Sequence, residues 1–263
     1  MKNNIGKNLK TISGHVKLEM LDEVLSFHQK GNIIIDEKFN RRVAPYPIDL
    51  DQLAALERSD FEISPFHEDS ISCASDKDKK ILRNRTAKKF SDNMIDFNVT
   101  KNLLNHSFSS NKQGARPYPS GGALYTVEVI AIIFEDRLIN SPKSGFYHFR
   151  PTLNALQPIK LADCNEMRQT LFRMDGLETQ KPNFAFLYCM VLSKALVKYR
   201  YRGYRYSFME AGSMYHQADL IAQSEGLINK IYSGFNDNEL MKYIGLDRLT
   251  FLPLVIQSFG GTL

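Results

Sequence analysis

The sequence predicts an α+β fold with a mostly antiparallel sheet flanked by helices. Three observations carry this. Two runs rich in β-branched and aromatic residues, VEVIAIIF (127–134) and FAFLYCMVL (184–192), have the length and bounded apolarity of strands buried on both faces. A long stretch around 207–225 places Phe208, Ala211, Gly212, Tyr215, Ala218 and Ala222 on one helical face. Helices and strands alternate without a regular βαβ rhythm, which argues against a parallel, doubly wound sheet. The chain has 263 residues, 43% hydrophobic and 24% charged, the proportions of an ordinary globular protein with room for a sizeable core.

In chain order, LEMLDEVLSFHQ (18–29) sets Leu18, Leu21, Leu25 and His28 at helical spacing, and Gly31 ends the run. Pro45, Pro47 and Pro65 then surround an amphipathic piece, DLDQLAALE, before a charged linker at Ser75–Lys80. Residues 1–75 therefore read as an N-terminal extension for assembly or docking, and 76–263 as the main domain. In that domain 98–106 reads as helix and 145–151 with the following LNALQPIK as a hairpin. Residues 163–174 are helical again and 229–235 strand-like. NDNELMKYI starts a helix on an Asn cap, and PLVIQSF (253–259) closes as a strand.

Several function classes are excluded at this stage. No window reaches the ~20 apolar residues of a membrane span, and Met1–Lys7 lacks the apolar stretch of a secretory signal, so a cytoplasmic location is expected. Cys73, Cys164 and Cys189 are isolated and odd in number, which suits a reducing compartment. The six histidines are scattered, and no spacing proposes a metal site. Dinucleotide, P-loop and nucleophile-elbow motifs are missing. Net charge is a mild +5, but the excess is clustered.

Three segments concentrate the chemistry. Between Lys77 and Lys89 lie seven basic residues, ending in Arg85-Thr86-Ala87-Lys88-Lys89. Guanidinium and ammonium groups beside a hydroxyl suit a phosphate, although such a run equally suits a solvated face. The second segment is Arg116-Pro117-Tyr118-Pro119-Ser120-Gly121-Gly122-Ala123-Leu124-Tyr125, directly before a buried strand. Its prolines fix the approach and Ser-Gly-Gly removes side chains, so a flat ligand fits against the backbone, as does a plain tight loop. The third, Lys198 to Tyr206, holds four basic residues and four tyrosines in nine. It serves equally as a grip on single-stranded nucleic acid, as a cation–π turn leading into the long helix, or as a lysine with lowered pKa beside phenols that relay protons.

Taken together, RPYPSGGALYTVEV (116–129), KALVKYRYRGYR (194–205), MEAGSMYHQADLIAQSEGL (209–227), SGF (233–235) and PLVIQSFGG (253–261) resemble the SagB-type FMN-dependent dehydrogenases of the nitroreductase superfamily. These enzymes form thiazole and oxazole rings in ribosomally made peptides. FHQKGN (27–32) extends the likeness into the N-terminal residues. The resemblance implies a nitroreductase-like homodimer with FMN at the subunit interface and oxygen as electron acceptor. It further implies a peptide substrate carrying azolines, and a synthetase complex with a cyclodehydratase and its partner subunit. By the same resemblance Arg85, Thr86 and Lys88 hold the FMN phosphate and ribityl, with Arg205 as a further cation. Pro119, Ser120, Gly121 and Gly122 reach the flavin from the neighbouring subunit, and Ser233 and Gly234 lie near its reactive edge. Lys198 and Tyr199 are the catalytic pair. No metal, nucleic acid or membrane is expected. The chain departs from the pattern by ending Ser258-Phe259-Gly260-Gly261-Thr262-Leu263 where many nitroreductases carry Lys or Arg, and by His216-Gln217 and Thr126 in place of the usual Gln-Asn and proline. The rival readings are a general NAD(P)H nitroreductase on the same fold and a nucleic-acid-binding module using the Tyr/Arg run.

Overall fold

The structure, a computed structural model, describes residues 14, 16–31, 86–172 and 181–262. The apolar runs form the centre of a six-stranded sheet. Its strands are β2 (Val127–Ile133), β4 (Gly145–Arg150), β5 (Ala155–Leu161), β6 (Phe184–Val191), β7 (Leu227–Tyr232) and β8 (Phe251–Gly261), in the order β5-β4-β2-β6-β8-β7. Every neighbouring pair is antiparallel, so the expected sheet is the one observed. The expected hairpin is β4–β5. Prolines sit where the ladder tolerates a missing donor: Pro158 on the outermost strand, and Pro253 beside a register shift opposite Tyr188 and Cys189. A short parallel pair, β1 (Ile95–Asp96) with β3 (Leu138–Ile139), lies outside this sheet.

Two-residue periodicity gives each central strand two apolar faces. Val127, Val129, Ala131 and Ile133 face helices α2 (Phe97–Phe108) and α5 (Tyr201–Ser224), which bury Leu103, Leu104, Phe108, Ala211, Met214, Ala218 and Ala222 there. Ile130 and Ile132 face α3 (Cys164–Phe172) and α6 (Asp237–Ile244), through Met167, Leu171, Leu240 and Met241. Asp96 caps α2 by accepting from the Asn98 amide, and Asn236 caps α6 by accepting from the Glu239 amide, as its sequence position predicts. Cys164 and Cys189 are free and buried. No helix among the described residues is long and apolar enough to cross a membrane.

Two elements depart from the sequence reading. The Tyr/Arg run is not a turn in front of the long helix. Lys198 and Tyr199 end a short helix, α4 (Leu192–Tyr199), and Tyr201 already starts α5, six residues earlier than its apolar face suggests. In α1 (Leu18–Gln29) the buried face is Met20 and Val24, while Leu18 is 77% exposed. With Val16 these residues pack on Met190, Leu192, Ala195, Leu196 and Leu252, and His28 Nδ1 pairs with the Tyr204 hydroxyl at 3.0 Å. The DLDQLAALE piece and the charged linker lie outside the described residues.

Candidate functional site

The segment before β2 is held in a strained shape. The Arg116 guanidinium lies 4.3 Å over the Tyr125 ring and donates to the Tyr118 hydroxyl at 2.9 Å, while the Arg116 amide donates to the Tyr125 hydroxyl at 3.1 Å. Between these anchors Gly122, Ala123 and Tyr125 all adopt positive φ, at 64°, 54° and 49°. For the two non-glycine residues this costs on the order of 1–3 kcal/mol each and needs surrounding structure to hold it.

That structure is provided by α5. Glu210 is buried and accepts from the Ser120 hydroxyl at 2.5 Å, from the Val127 amide at 2.9 Å and from the Thr126 hydroxyl at 3.4 Å. Ser120 Oγ in turn accepts from the Tyr125 amide at 2.8 Å, and Thr126 Oγ1 pairs with Ser207 Oγ at 2.8 Å. A charged acceptor strengthens each of its bonds relative to a neutral one.

The α4–α5 elbow brings the Lys-Tyr pair to this loop. Arg200, the joint, has φ 50°, and a Cβ on Gly203 would collide with the Ala195 carbonyl oxygen, so only glycine permits so close a crossing. Lys198 Nζ and the Tyr199 hydroxyl rest on Gly122: a Cβ there would lie 2.8 Å from Nζ and closer still to the phenol. Tyr206 lies against Gly121 in the same way and meets Tyr199 edge to face at 5.3 Å.

Two adjoining clefts result. One of about 300 Å³ is lined by Pro119, Ser120, Gly121, Tyr206, Met209 and Glu210. The other, about 310 Å³, is lined by Tyr199, Arg200, Tyr201, Arg202 and Arg205, three guanidinium groups among two phenols. Behind them Glu128 on β2 binds His148 and Lys194, each at 3.2 Å. Burial raises the Glu128 carboxyl, but the His148 hydrogen bond and the Lys194 charge outweigh it and hold the pKa at about 2.

Of the residues singled out by sequence, Pro119, Ser120, Gly121, Gly122, Lys198, Tyr199 and Arg205 thus gather at one end of the sheet. Ser233 and Gly234 leave β7 toward that same end, on the edge strand. Thr86 and Lys88 do not join them. They flank Ala87, whose amide donates to the Asn229 carbonyl at 3.0 Å. The register of Asn229 with Phe259 and Phe184 puts this contact six residues along β6 from Met190 and Val127, roughly 20 Å away at strand rise. Arg85 lies outside the described residues. Sequence reasoning missed Glu210 and the Glu128–His148–Lys194 group as site residues. The available signal for Glu210 was an acid beside Ala211 on a helix face of small and aromatic residues; nothing local names its partners.

Residues 81–261 match the family model described as the nitroreductase family. The Escherichia coli microcin B17-processing protein McbC is 34% identical over 257 residues, covering 96% of this chain and 94% of that protein. A chain of the E. coli microcin synthetase McbBCD complex with truncated pro-MccB17 bound superposes with a TM-score of 0.88 at 33% identity, over 97% of both chains. A Ralstonia eutropha structure described as a nitroreductase shares the fold alone, with a TM-score of 0.58 at 17% identity over 69% of this chain and 80% of its own. On the family match and the full-length relative, the chain belongs to the nitroreductase family.

Proposed function

We propose that this protein is an FMN-dependent azoline dehydrogenase that converts thiazolines and oxazolines of a ribosomally made, microcin-like peptide to thiazoles and oxazoles. The observation that carries this reading is the likeness to McbC along nearly the whole chain, 34% identical over 96% of it. The relative of known structure sits in a synthetase with a truncated microcin precursor bound. A comparable assembly is inferred here, with a homodimer of this chain, a cyclodehydratase and its partner subunit. Residues 1–75 are assigned to that assembly; among them α1 packs on the core through Met20 and Val24.

The residues present fit FMN. Ser120 and Gly121 line a cleft of about 300 Å³, and Arg200, Arg202 and Arg205 form no ion pair among the described residues, leaving cations for an anionic group. Thr86 and Lys88, at the opposite end of the sheet, fit a site completed across a subunit interface, where one protomer contributes its loop end and the partner its Thr86–Lys88 end. Bound there, FMN supplies the acceptor for the two electrons lost when an azoline becomes aromatic.

Proton handling is left to the protein. Lys198 and Tyr199 place an amine and a phenol side by side at Gly122, and one of them takes the proton from the ring carbon next to the peptide carbonyl. The strained loop orients the reacting face, and Met209 and Tyr206 give its cleft apolar walls. In the test, Lys198→Ala and Tyr199→Phe keep the yellow flavin absorbance. The partner enzymes still install azolines, and the further loss of two hydrogens per ring, read by mass spectrometry, slows by about 10²-fold or more. Colourless variants, or full aromatisation, overturn the assignment of the pair. Rapid flavin reduction by NADH with turnover of nitroarenes, and no azoline oxidation, returns the chain to general nitroreductase chemistry.

A further inference from the structure

We propose that Glu210 is a positioning residue of the azoline-oxidising site, acting through Ser120 to hold the Gly122 loop against Lys198 and Tyr199. This rests on the proposed function. Glu210 is 3% exposed, and among the described residues the hydrogen-bond donors to its carboxylate come from one short stretch: the Ser120 and Thr126 hydroxyls and the Val127 amide. No lysine, arginine or histidine pairs with it among the described residues. A buried carboxylate without a cation is unfavourable unless hydrogen bonds compensate it. Burial of an apolar residue of similar size would fill the same space at lower cost, so the contacts themselves call for explanation.

The spacing along α5 explains them. Gly203, Tyr206, Ser207 and Glu210 recur at three- and four-residue steps and so share one helix face. Gly203 crosses α4 at Ala195, one turn before Lys198. Tyr206 touches Gly121, Ser207 binds Thr126, and Glu210 binds Ser120 and Val127. One face of a single rigid helix therefore sets both partners of the site: the elbow that carries the Lys-Tyr pair and the loop on which that pair rests. Glu210 is the charged end of this device and Ser120 the link that transmits it. Ser120 donates to the carboxylate while accepting from the Tyr125 amide, so it ties the positive-φ backbone to the helix from within the loop.

The test uses the full-length protein with its flavin and synthetase partners. Ser120→Ala deletes the link without touching the Val127 bond, and Ser120→Thr restores a hydroxyl. Glu210→Gln keeps an acceptor for Val127 but no longer offers Ser120 a charged one. Expected for Ser120→Ala and Glu210→Gln is a kcat per bound flavin lowered by about 10- to 10²-fold, the scale of a small misplacement of reacting groups, with KM for the azoline peptide little changed and Ser120→Thr recovering part of the loss. Hydrogen exchange gives a readout that needs no turnover: the Tyr125 amide should exchange faster in both variants, while β6 stays protected. Parent-like kcat together with unchanged exchange in Ser120→Ala overturns the proposal. So does a loss of protection throughout β6, which would make Glu210 a general stability element. If the parent protein oxidises no azoline, the functional reading fails, and the exchange result alone decides whether Glu210 and Ser120 hold the loop.

Discussion

The two ends of β6 are held together by different means. At the Val191 end the chain passes through left-handed backbone at Gly122, Ala123, Tyr125 and Arg200, and a buried carboxylate, Glu210, ties the loop to the helix. At the Phe184 end, residues 86–96 carry no left-handed backbone, and side chains fasten them through their backbone carbonyls. Asn183 donates to the Asn93 and Arg137 carbonyls, and Arg137 to those of Ser91 and Asp92. Along the adjacent edge, Asn229 donates to Asp219 and accepts from Gln257. Regular backbone needs only its carbonyls and amides paired. Strained backbone must be over-determined, and here that takes a close helix crossing and the Glu210 hydrogen bonds it brings to the loop. The difference separates scaffold from candidate site within one sheet.

The largest effect should come from Gly203→Ala, which drives a methyl into the Ala195 carbonyl and forces α4 and α5 apart. Overpacking of this kind costs about 1–3 kcal/mol or more, or roughly 2–4 °C of melting temperature per kcal/mol for a chain of this class. Azoline oxidation should fall by more than about 10²-fold, because the Lys-Tyr pair moves with α4. A parent-like melting curve and rate would break the comparison at its root.

Next in size is Gly122→Ala. Its φ of 64° disfavours any side chain, and the new Cβ meets Lys198 and Tyr199. Turnover should drop by about 10-fold or more while the melting temperature changes by only a few degrees. Loss of stability without loss of rate would make the loop scaffold after all. Asn229→Ala probes the other end and should show the converse. Removing its bonds to Asp219 and Gln257 is expected to cost about 1–3 kcal/mol in denaturant unfolding with the rate per folded enzyme unchanged.

The effect confined to the narrowest conditions is a pH dependence at Glu128. Its folded pKa, about 2, lies below the ordinary glutamate value of 4.5. The group therefore stabilises the fold above the ordinary value, and this contribution is lost as pH falls from about 4.5 toward 2. Glu128→Gln should flatten melting temperature against pH in that window relative to the parent. Curves that stay parallel would show that His148 and Lys194 do not act through this carboxylate.

Much of the architecture was legible without coordinates. VEVIAIIF and FAFLYCMVL specify strands because uninterrupted β-branched and aromatic residues find a place only between two layers. Asn236 marks a helix start because its side chain satisfies a free amide. Pro117, Pro119, Gly121 and Gly122 announce an unusual backbone before β2, since these residue types alter the allowed φ and ψ locally. The run from Lys198 to Tyr206 stood out by composition, and the family resemblance singled out Lys198 and Tyr199 within it. In α1 periodicity placed Leu21 and Leu25 against the core, but it also pointed to Leu18, which is exposed, and missed Met20 and Val24, which the core covers most fully. It also started α5 too late, because Gly203 reads as a turn residue and only the crossing with Ala195 shows why glycine belongs inside that helix.

What the sequence by itself determined is therefore what rests on neighbours along the chain: strand and helix character, caps, and the permissive backbone of the Ser-Gly-Gly loop. Tertiary structure decided which distant groups meet. Ser120 and Glu210 are separated by 90 positions, and Glu128 and Lys194 by 66, so no local pattern couples them. Their pairing follows from how α4 and α5 cross beside the start of β2. It also decided that Thr86 and Lys88 lie at the opposite end of the sheet from Lys198, because the ladder register, not sequence distance, sets their separation. The physical reason is range: backbone preference and side-chain periodicity act over a few residues, whereas a hydrogen bond to a buried carboxylate exists only once packing has excluded water and brought its donors within 3 Å or so.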